Sequence, residues 1–251
     1  LRLSMNQMSE QLRQNELQQQ HFFQNVSHDL RTPLTGIIGA SSTYLENTDS
    51  LSDEEKNRLI TNINEDANWL LNMVENLLTV TRINSSSADK VKKSAEVVEE
   101  VVSEAILRLQ KRIPDAVIHV SMPNNFLMIP MDPTLIEQVL INLMENAVQH
   151  GKTTTRIELR LSSAGGFTVF EVADNGCGIE KELLPHLFEG YLTRDQEEIS
   201  DQRRNMGIGL SVCMSIVQAH GGTMRAENRK KGGALLQFSL PLEENRHEHQ
   251  R

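Results

Sequence analysis

Leu1, Met5, Met8, Leu12, Asn15, Gln19, Phe22 and Val26 recur at alternating steps of four and three, a heptad seam weakened in its middle by Asn15 and Gln19. The stripe is narrow and its surroundings (Gln18, Gln19, Gln20, His21) are polar, so little nearby sequence can cover it. That favours a dimeric coiled coil, although a single helix packed on its own domain gives the same pattern. The helical pattern runs on through His28 to about Leu45, with Pro33 inside it and expected to kink it. A turn is expected at residues 47–51. Ser52 then reads as an N-cap, with Glu55 completing a capping box. A second amphipathic helix follows to about Ile83, carrying Leu59, Ile63, Asp66, Leu70, Met73, Leu77 and Val80 or Thr81 on one stripe, with Asp66 as a polar break. Two antiparallel helices with one apolar stripe each cannot close a core, whereas two copies can, as a four-helix bundle. A homodimer is therefore expected from packing alone.

The pattern changes after Asn84, Ser85, Ser86 and Ser87, the most loop-like stretch in the chain and the expected domain boundary. Beyond it, residues 95–110 read as a helix, and 116–120 and 126–129 as short strands. Residues 133–150 read as a helix with Pro133 at its first position. Residues 154–161 and 167–173 alternate as a strand pair around Ala164-Gly165-Gly166. A helix over 209–220 ends at Gly221-Gly222, and a final hairpin pairs 223–228 with 234–240 around Gly232-Gly233. The fold class expected is an all-α dimeric helical hairpin followed by an α+β sandwich.

Several function classes recede on composition. Across 251 residues, 38% are hydrophobic, enough for a buried core. Apolar runs such as residues 77–80 are far too short to span a bilayer, and no basic start followed by an apolar stretch suggests a signal peptide. The chain opens on Leu1, which suggests a fragment of something longer. Cys177 and Cys213 have no metal-ligand spacing, and a reducing compartment is the simpler setting. A net charge of -9 argues against nucleic-acid binding.

Ser27, His28, Asp29, Leu30, Arg31, Thr32, Pro33, Leu34 and Thr35 form the first constellation. A surface histidine is available in its neutral form near pH 7 as a nucleophile. Asp29 can orient or deprotonate the imidazole, and Thr32, four residues on, shares its helical face and can position a water. In Asn142-Leu143-Met144-Glu145-Asn146-Ala147-Val148-Gln149-His150, Asn142 and Asn146 lie on one helix face. Two amides aimed at one spot suit Mg²⁺ held through oxygens, water and phosphate; a half-buried polar stripe looks the same. Asp174-Asn175-Gly176-Cys177-Gly178-Ile179 follows a strand, where glycines let backbone approach a ligand and a carboxylate can accept from adenine's exocyclic amine. A plain turn is the alternative. Gly207-Ile208-Gly209-Leu210 is placed at a helix start, where phosphates settle on free N–H groups. The long stretch 180–206 between them reads as a lid, with Phe188 as a packing anchor.

Taken together, these stretches resemble the H-box, N-box, G1, F-box (Leu187-Phe188-Glu189-Gly190-Tyr191) and G2 motifs of bacterial sensor histidine kinases, in order and from His28 to Leu210. The resemblance implies a signalling coiled coil with a HAMP-like end over 1–20 and a dimerisation and histidine phosphotransfer domain over 21–84. It implies a linker at 85–88, a catalytic Bergerat-type ATP-binding domain over 89–245, related to gyrase, Hsp90 and MutL, and a tail at 246–251. Residues 36–46 and 219–228 resemble KdpD-type kinases. Implied catalytic residues are His28, Asp29 and Thr32. Implied nucleotide contacts are Asn142, Asn146, His150, Asp174, Gly176, Gly178, Ile179, Phe188, Gly207, Gly209 and Leu210, with Asn142 and Asn146 also on the metal. Gln149 stands where the family commonly has a lysine, and Thr193 where an arginine is frequent. Lys152, Arg194, Arg203 and Arg204 remain as candidate phosphate contacts.

The implied cofactors are ATP and Mg²⁺. Implied partners are a second copy of the chain and a response-regulator receiver domain, with no nucleic acid, and a membrane only through an upstream segment. That would make the chain the cytoplasmic portion of a bacterial inner-membrane protein. The implied function is autophosphorylation of His28 and transfer to a receiver aspartate. The alternatives are a phosphatase-dominant enzyme, a non-catalytic nucleotide-binding dimer scaffold, or a gyrase-like ATPase.

Overall fold

The computed structural model describes residues 2–84, 91–123, 127–151, 153–188 and 201–242, with backbone alone at 2–12, 14–25, 80, 84 and 201–208. They form two compact units, divided in the chain between Leu78 and Thr79. The linker expected at 85–88 lies outside the described residues.

The first unit holds α1 (Arg2–Asn47) and most of α2 (Asp53–Asn84). α1 continues through Pro33, and the ring is buried. The side chains of the seam from Met5 to Phe22 lie outside the described residues; Val26, its last member, is buried. α1 closes where Ser50 N and Leu51 N both donate to Asn47 O, at 2.9 and 3.1 Å. α2 opens on a reciprocal cap. Ser52 N donates to Glu55 Oε2 at 2.9 Å, and Glu55 N donates to Ser52 Oγ at 3.3 Å. Along α2, Leu59, Ile63, Asp66, Leu70 and Leu77 are half-buried and Met73 is buried, the stripe expected from periodicity. A second row stays open to solvent: Leu34, Ile38 and Leu45 on α1, and Ile60, Leu71, Val74 and Leu78 on α2.

The second unit is an α+β sandwich. β1 (Ser94–Val97) pairs antiparallel with β3 (Met128–Met131), separately from a five-stranded sheet. In that sheet β2 (Ile118–Ser121), β4 (Ile157–Ala164), β5 (Phe167–Asp174), β7 (Ala234–Pro241) and β6 (Thr223–Asn228) lie in that order. β2 runs parallel to β4 and the other pairs are antiparallel. Alternation along β7 buries Ala234, Leu236, Phe238 and Leu240. Phe238 stacks on Phe170 of β5 at 4.4 Å between ring centroids. Three helices supply the facing layer: α3 (Val98–Arg112), α4 (Pro133–His150) and α5 (Asp201–Ala219), with α4 packed on both others. Among the described residues no helix is long and apolar enough to cross a membrane.

Expected boundaries shift, the strands expected at 116–120 and 154–161 lying at 118–121 and 157–164, and three further shifts have a clear physical reason. Residues 94–97 are strand, not the first turn of a helix over 95–110. There the pairing with 128–131 overrides a helical pattern that the adjacent valines Val97 and Val98 weaken. The strand expected at 126–129 lies at 128–131 for the same reason, and Phe126 is outside the described residues. α5 begins at Asp201 instead of Gly209, because the good helix formers Gln202, Arg203, Arg204 and Met206 carry the helix into the expected lid.

Candidate functional site

Two sets of residues carry chemistry, one in each unit. On α1, the His28 side chain is 67% exposed and that of Asp29 only 8%. His28 Nδ1 lies 3.2 Å from Asp29 Oδ1. An ionised carboxylate only accepts, so the contact assigns the proton to Nδ1 and leaves the Nε2 lone pair for reaction. Pro33, lacking an N–H, cannot bond the Asp29 carbonyl as a helix interior would require. Thr32 Oγ1 sits 3.5 Å from the His28 carbonyl, so its hydroxyl stays on the exposed face of that turn.

In the second unit a cleft opens between the end of α4, the loop after β5, α5 and β7. Its lining is Asn146, Ala147, His150 and Gly151; Asp174, Gly178 and Ile179; Leu210; Ala234 and Leu236. α4 is placed by Asp132, whose Oδ1 accepts from Leu135 N at 3.1 Å, with Pro133 next. Asn142 Nδ2 donates to Cys213 Sγ at 3.7 Å, which leaves the carbonyl oxygen as what this amide offers a cation. Burial pushes the Cys213 thiol up to about 12, against the opposing Asn142 contact. Asn146 Nδ2 and His150 Nε2 are both buried without a protein partner. Burial also holds His150 below the ordinary histidine range, hence neutral. Unpaired buried polar atoms lining an open cleft fit a ligand rich in ring nitrogens and hydroxyls, and the amide oxygens of Asn142 and Asn146 fit a hard cation.

Asp174 ends β5 and is 4% exposed. Its Oδ1 accepts from Gly176 N at 2.8 Å and its Oδ2 from Ala234 N at 3.3 Å. Gly178 has φ +78°, and a Cβ there would lie 2.8 Å from Asn228 Oδ1. Gly233 has φ +86°, and a Cβ there would strike the Asp174 carbonyl. Leu187 is the buried member of the F-box-like stretch, and Phe188 is half-buried.

The structure thus brings together Asn146, His150, Asp174, Gly178, Ile179 and Leu210, with Asn142 one turn along α4. It keeps Gly207 and Gly209 inside α5 rather than at its start, so their N–H groups belong to helical bonds. Lys152 and Arg194 lie outside the described residues, as do the side chains of Arg203 and Arg204. Sequence reasoning passed over four residues that hold this site. Asn228 bonds both backbone groups of Ile179, and Arg229 Nη1 donates to Asp174 O at 2.7 Å. His220 joins α5 to α4, and Cys213 backs Asn142. Only Gly232-Gly233 marked that hairpin in the sequence, and no local pattern points from residue 229 to residue 174.

Residues 18–86 match the family described as the His Kinase A (phospho-acceptor) domain, and residues 131–244 the histidine kinase-, DNA gyrase B-, and HSP90-like ATPase. The chain is 44% identical over 234 residues to the sensor protein KdpD of Clostridium acetobutylicum, covering 93% of this chain and 25% of that protein. It is 33% identical over 216 residues to the sensor protein KdpD of Escherichia coli, covering 86% of this chain and 24% of that one. It therefore spans about a quarter of the length of these curated relatives. The KdpD-type resemblance of residues 36–46 and 219–228 agrees with them. Among solved structures, histidine kinase ThkA in complex with response regulator protein TrrA aligns with TM-score 0.67 and 23% identity, covering 90% of this chain and 62% of that chain. The Acinetobacter baumannii histidine kinase AdeS aligns with TM-score 0.62 and 20% identity, covering 86% and 98%. At those identities the likeness speaks for the fold.

Proposed function

Because this chain belongs to the sensor histidine kinases, carrying their phospho-acceptor and ATPase domains, we propose that it moves the γ-phosphoryl of ATP onto its own His28 and on to an aspartate of a response-regulator receiver domain. The observation that carries this reading is the contact of exposed His28 with nearly buried Asp29. Nε2 attacks the γ-phosphorus, the bond to the bridging oxygen breaks, and ADP leaves. The ring then carries positive charge, which Asp29 stabilises through the Nδ1 proton. Asp174 reads adenine, while Asn146 and neutral His150 supply polar contacts to the nucleotide. Mg²⁺ held by Asn142 and Asn146 would neutralise phosphate charge and fix its geometry.

The exposed row from Leu34 to Leu45 on α1 and from Ile60 to Leu78 on α2 supports a homodimer closed as a four-helix bundle. The partial coverage of longer sensor proteins supports a missing upstream sensor, and with it a place at the inner face of a bacterial membrane. A receiver phosphatase activity is a second reading, favoured by the Thr32 hydroxyl one turn from His28.

The test is incubation with γ-labelled ATP and Mg²⁺, comparing wild type with His28→Gln. Acid-labile, alkali-stable label on wild type alone is expected. Absence of label on both, with nucleotide binding intact, would sink the kinase reading and favour the phosphatase or scaffold.

A further inference from the structure

The loop from Asp174 to Ile179 is held at both ends by two consecutive residues at the close of β6. At the far end, Ile179 N donates to Asn228 Oδ1 at 2.7 Å, and Asn228 Nδ2 donates to Ile179 O at 2.6 Å. One side-chain amide thus satisfies both backbone groups of a loop residue, as a neighbouring strand would. The amide comes this close because Gly178 has no Cβ. At the near end, Arg229 Nη1 donates to Asp174 O at 2.7 Å. The guanidinium is itself steadied by Glu158, whose Oε2 lies 3.7 Å from Nη2. The turn that follows completes the grip. Arg229 N donates to Gly233 O at 2.9 Å, which brings Gly233 against the Asp174 carbonyl and Ala234 N to Asp174 Oδ2.

We propose that Asn228 and Arg229 are positioning residues for adenine recognition, which clamp the loop so that the Asp174 carboxylate meets the exocyclic amine. The inference rests on the reading of the cleft as a nucleotide site and of Asp174 as its adenine reader. A carboxylate discriminates an amine from a carbonyl only while its free lone pairs are held in one direction. Asp174 has one torsion to its carboxylate carbon and one to its oxygens. Its own backbone must be fixed before those torsions count, and Arg229 fixes the backbone carbonyl directly. Asn228 fixes the opposite wall of the cleft at Ile179, which sets the gap between wall and carboxylate. The site pre-organises its specificity through a hairpin whose second strand also lines the cleft with Ala234 and Leu236.

The experiment is calorimetric titration of the whole chain with ADP and with inosine diphosphate, which carries a carbonyl where adenine has its amine. The variants are Asn228→Ala and Arg229→Ala, with Asn228→Asp and Arg229→Lys as milder partners should the alanine forms fail to fold. Wild type is expected to prefer ADP. Each alanine variant is expected to lose ADP affinity roughly tenfold, the scale of one well-made hydrogen bond, with inosine diphosphate affected less, so that the preference narrows. Arg229→Lys, which can still reach a carbonyl, is expected to recover part of it. Variants that keep the wild-type preference, or lose both nucleotides equally, overturn the clamp. A wild type that binds neither nucleotide overturns the nucleotide site itself, and one that binds both alike overturns Asp174 as the adenine reader.

Discussion

Replacing His220 by leucine tests how the second unit is fastened together. The imidazole is 1% exposed. Asp132 N donates to its Nε2 at 3.0 Å, and its Nδ1 lies 2.7 Å from Ile216 O, which fixes the neutral, Nδ1-protonated form. The side chain therefore ties the last turn of α5 to the N-cap of α4, the helix bearing Asn142 and Asn146. Leucine fills a similar volume but leaves the Asp132 N–H and the Ile216 carbonyl without this partner. The Ile216 carbonyl keeps the backbone N–H of residue 220 at 3.1 Å, so the Asp132 N–H is the group left abandoned. A buried polar group so abandoned costs about 1–3 kcal/mol, and apolar burial offsets a little of it, so about 2 kcal/mol in total is expected. For a domain of this size that lowers Tm by about 6 °C.

The pH dependence provides a second, signed readout. His220 is held below its ordinary value of 6.5 chiefly by burial; the Ile216 carbonyl and Asp132 oppose that shift and Lys93 adds to it. With the folded pKa depressed, the unfolded chain takes up a proton first as the solution is acidified. The stability tied to neutral His220 is thus fully present above pH 6.5 and is lost as pH falls from there through the folded pKa. One such group steepens the slope by at most about 1.4 kcal/mol per pH unit. His150, depressed by burial in the same direction, leaves part of the slope in the variant. Thermal melts followed by circular dichroism between pH 8 and pH 5 measure both effects. A variant that melts within about 2 °C of wild type and keeps the full acid slope would refute the fastening argument.

Thiol labelling under native conditions at pH 8 is expected to modify exposed Cys177 and spare Cys213, which is 0% exposed with its thiol pushed up to about 12. Mass spectrometry should find one adduct per native chain and two after denaturation, and rapid native labelling of Cys213 would contradict the packing behind Asn142. Gly209→Ala is expected to raise stability by up to about 1 kcal/mol, since Gly209 lies inside α5 and a Cβ there meets nothing within 4 Å. If phosphates approach the backbone at Gly207–Leu210, the same change weakens ATP binding; a stabilised variant with unchanged affinity, read by calorimetry, moves the phosphate contact elsewhere.

What could be read from the sequence was what neighbouring residues decide among themselves. The Ser52–Glu55 cap, Asp132 and Pro133 at the head of α4, and the half-buried stripe from Leu59 to Leu77 all rest on interactions within a turn or two. The motif residues His28, Asn146 and Asp174 were legible for a different reason, their likeness to a family. Residues 94–97 failed because their strand exists only through pairing with 128–131, more than thirty positions away. The clamps failed likewise: Arg229 meets Asp174, Asn228 meets Ile179 and His220 meets Asp132 across separations that no periodicity encodes.

α5 poses the sharper case, because local rules there point both ways. Gly207 and Gly209 each disfavour a helix by about 1 kcal/mol against alanine, which argues for a helix start at that place. Gln202, Arg203, Arg204 and Met206 before them favour one, and the structure follows these. Two glycines inside a helix leave its backbone uncovered by side chains and make that stretch cheap to unwind. The conflict in the local signals thus falls at the part of the chain where ligand contact is expected, as it should if helix stability was given up there for binding.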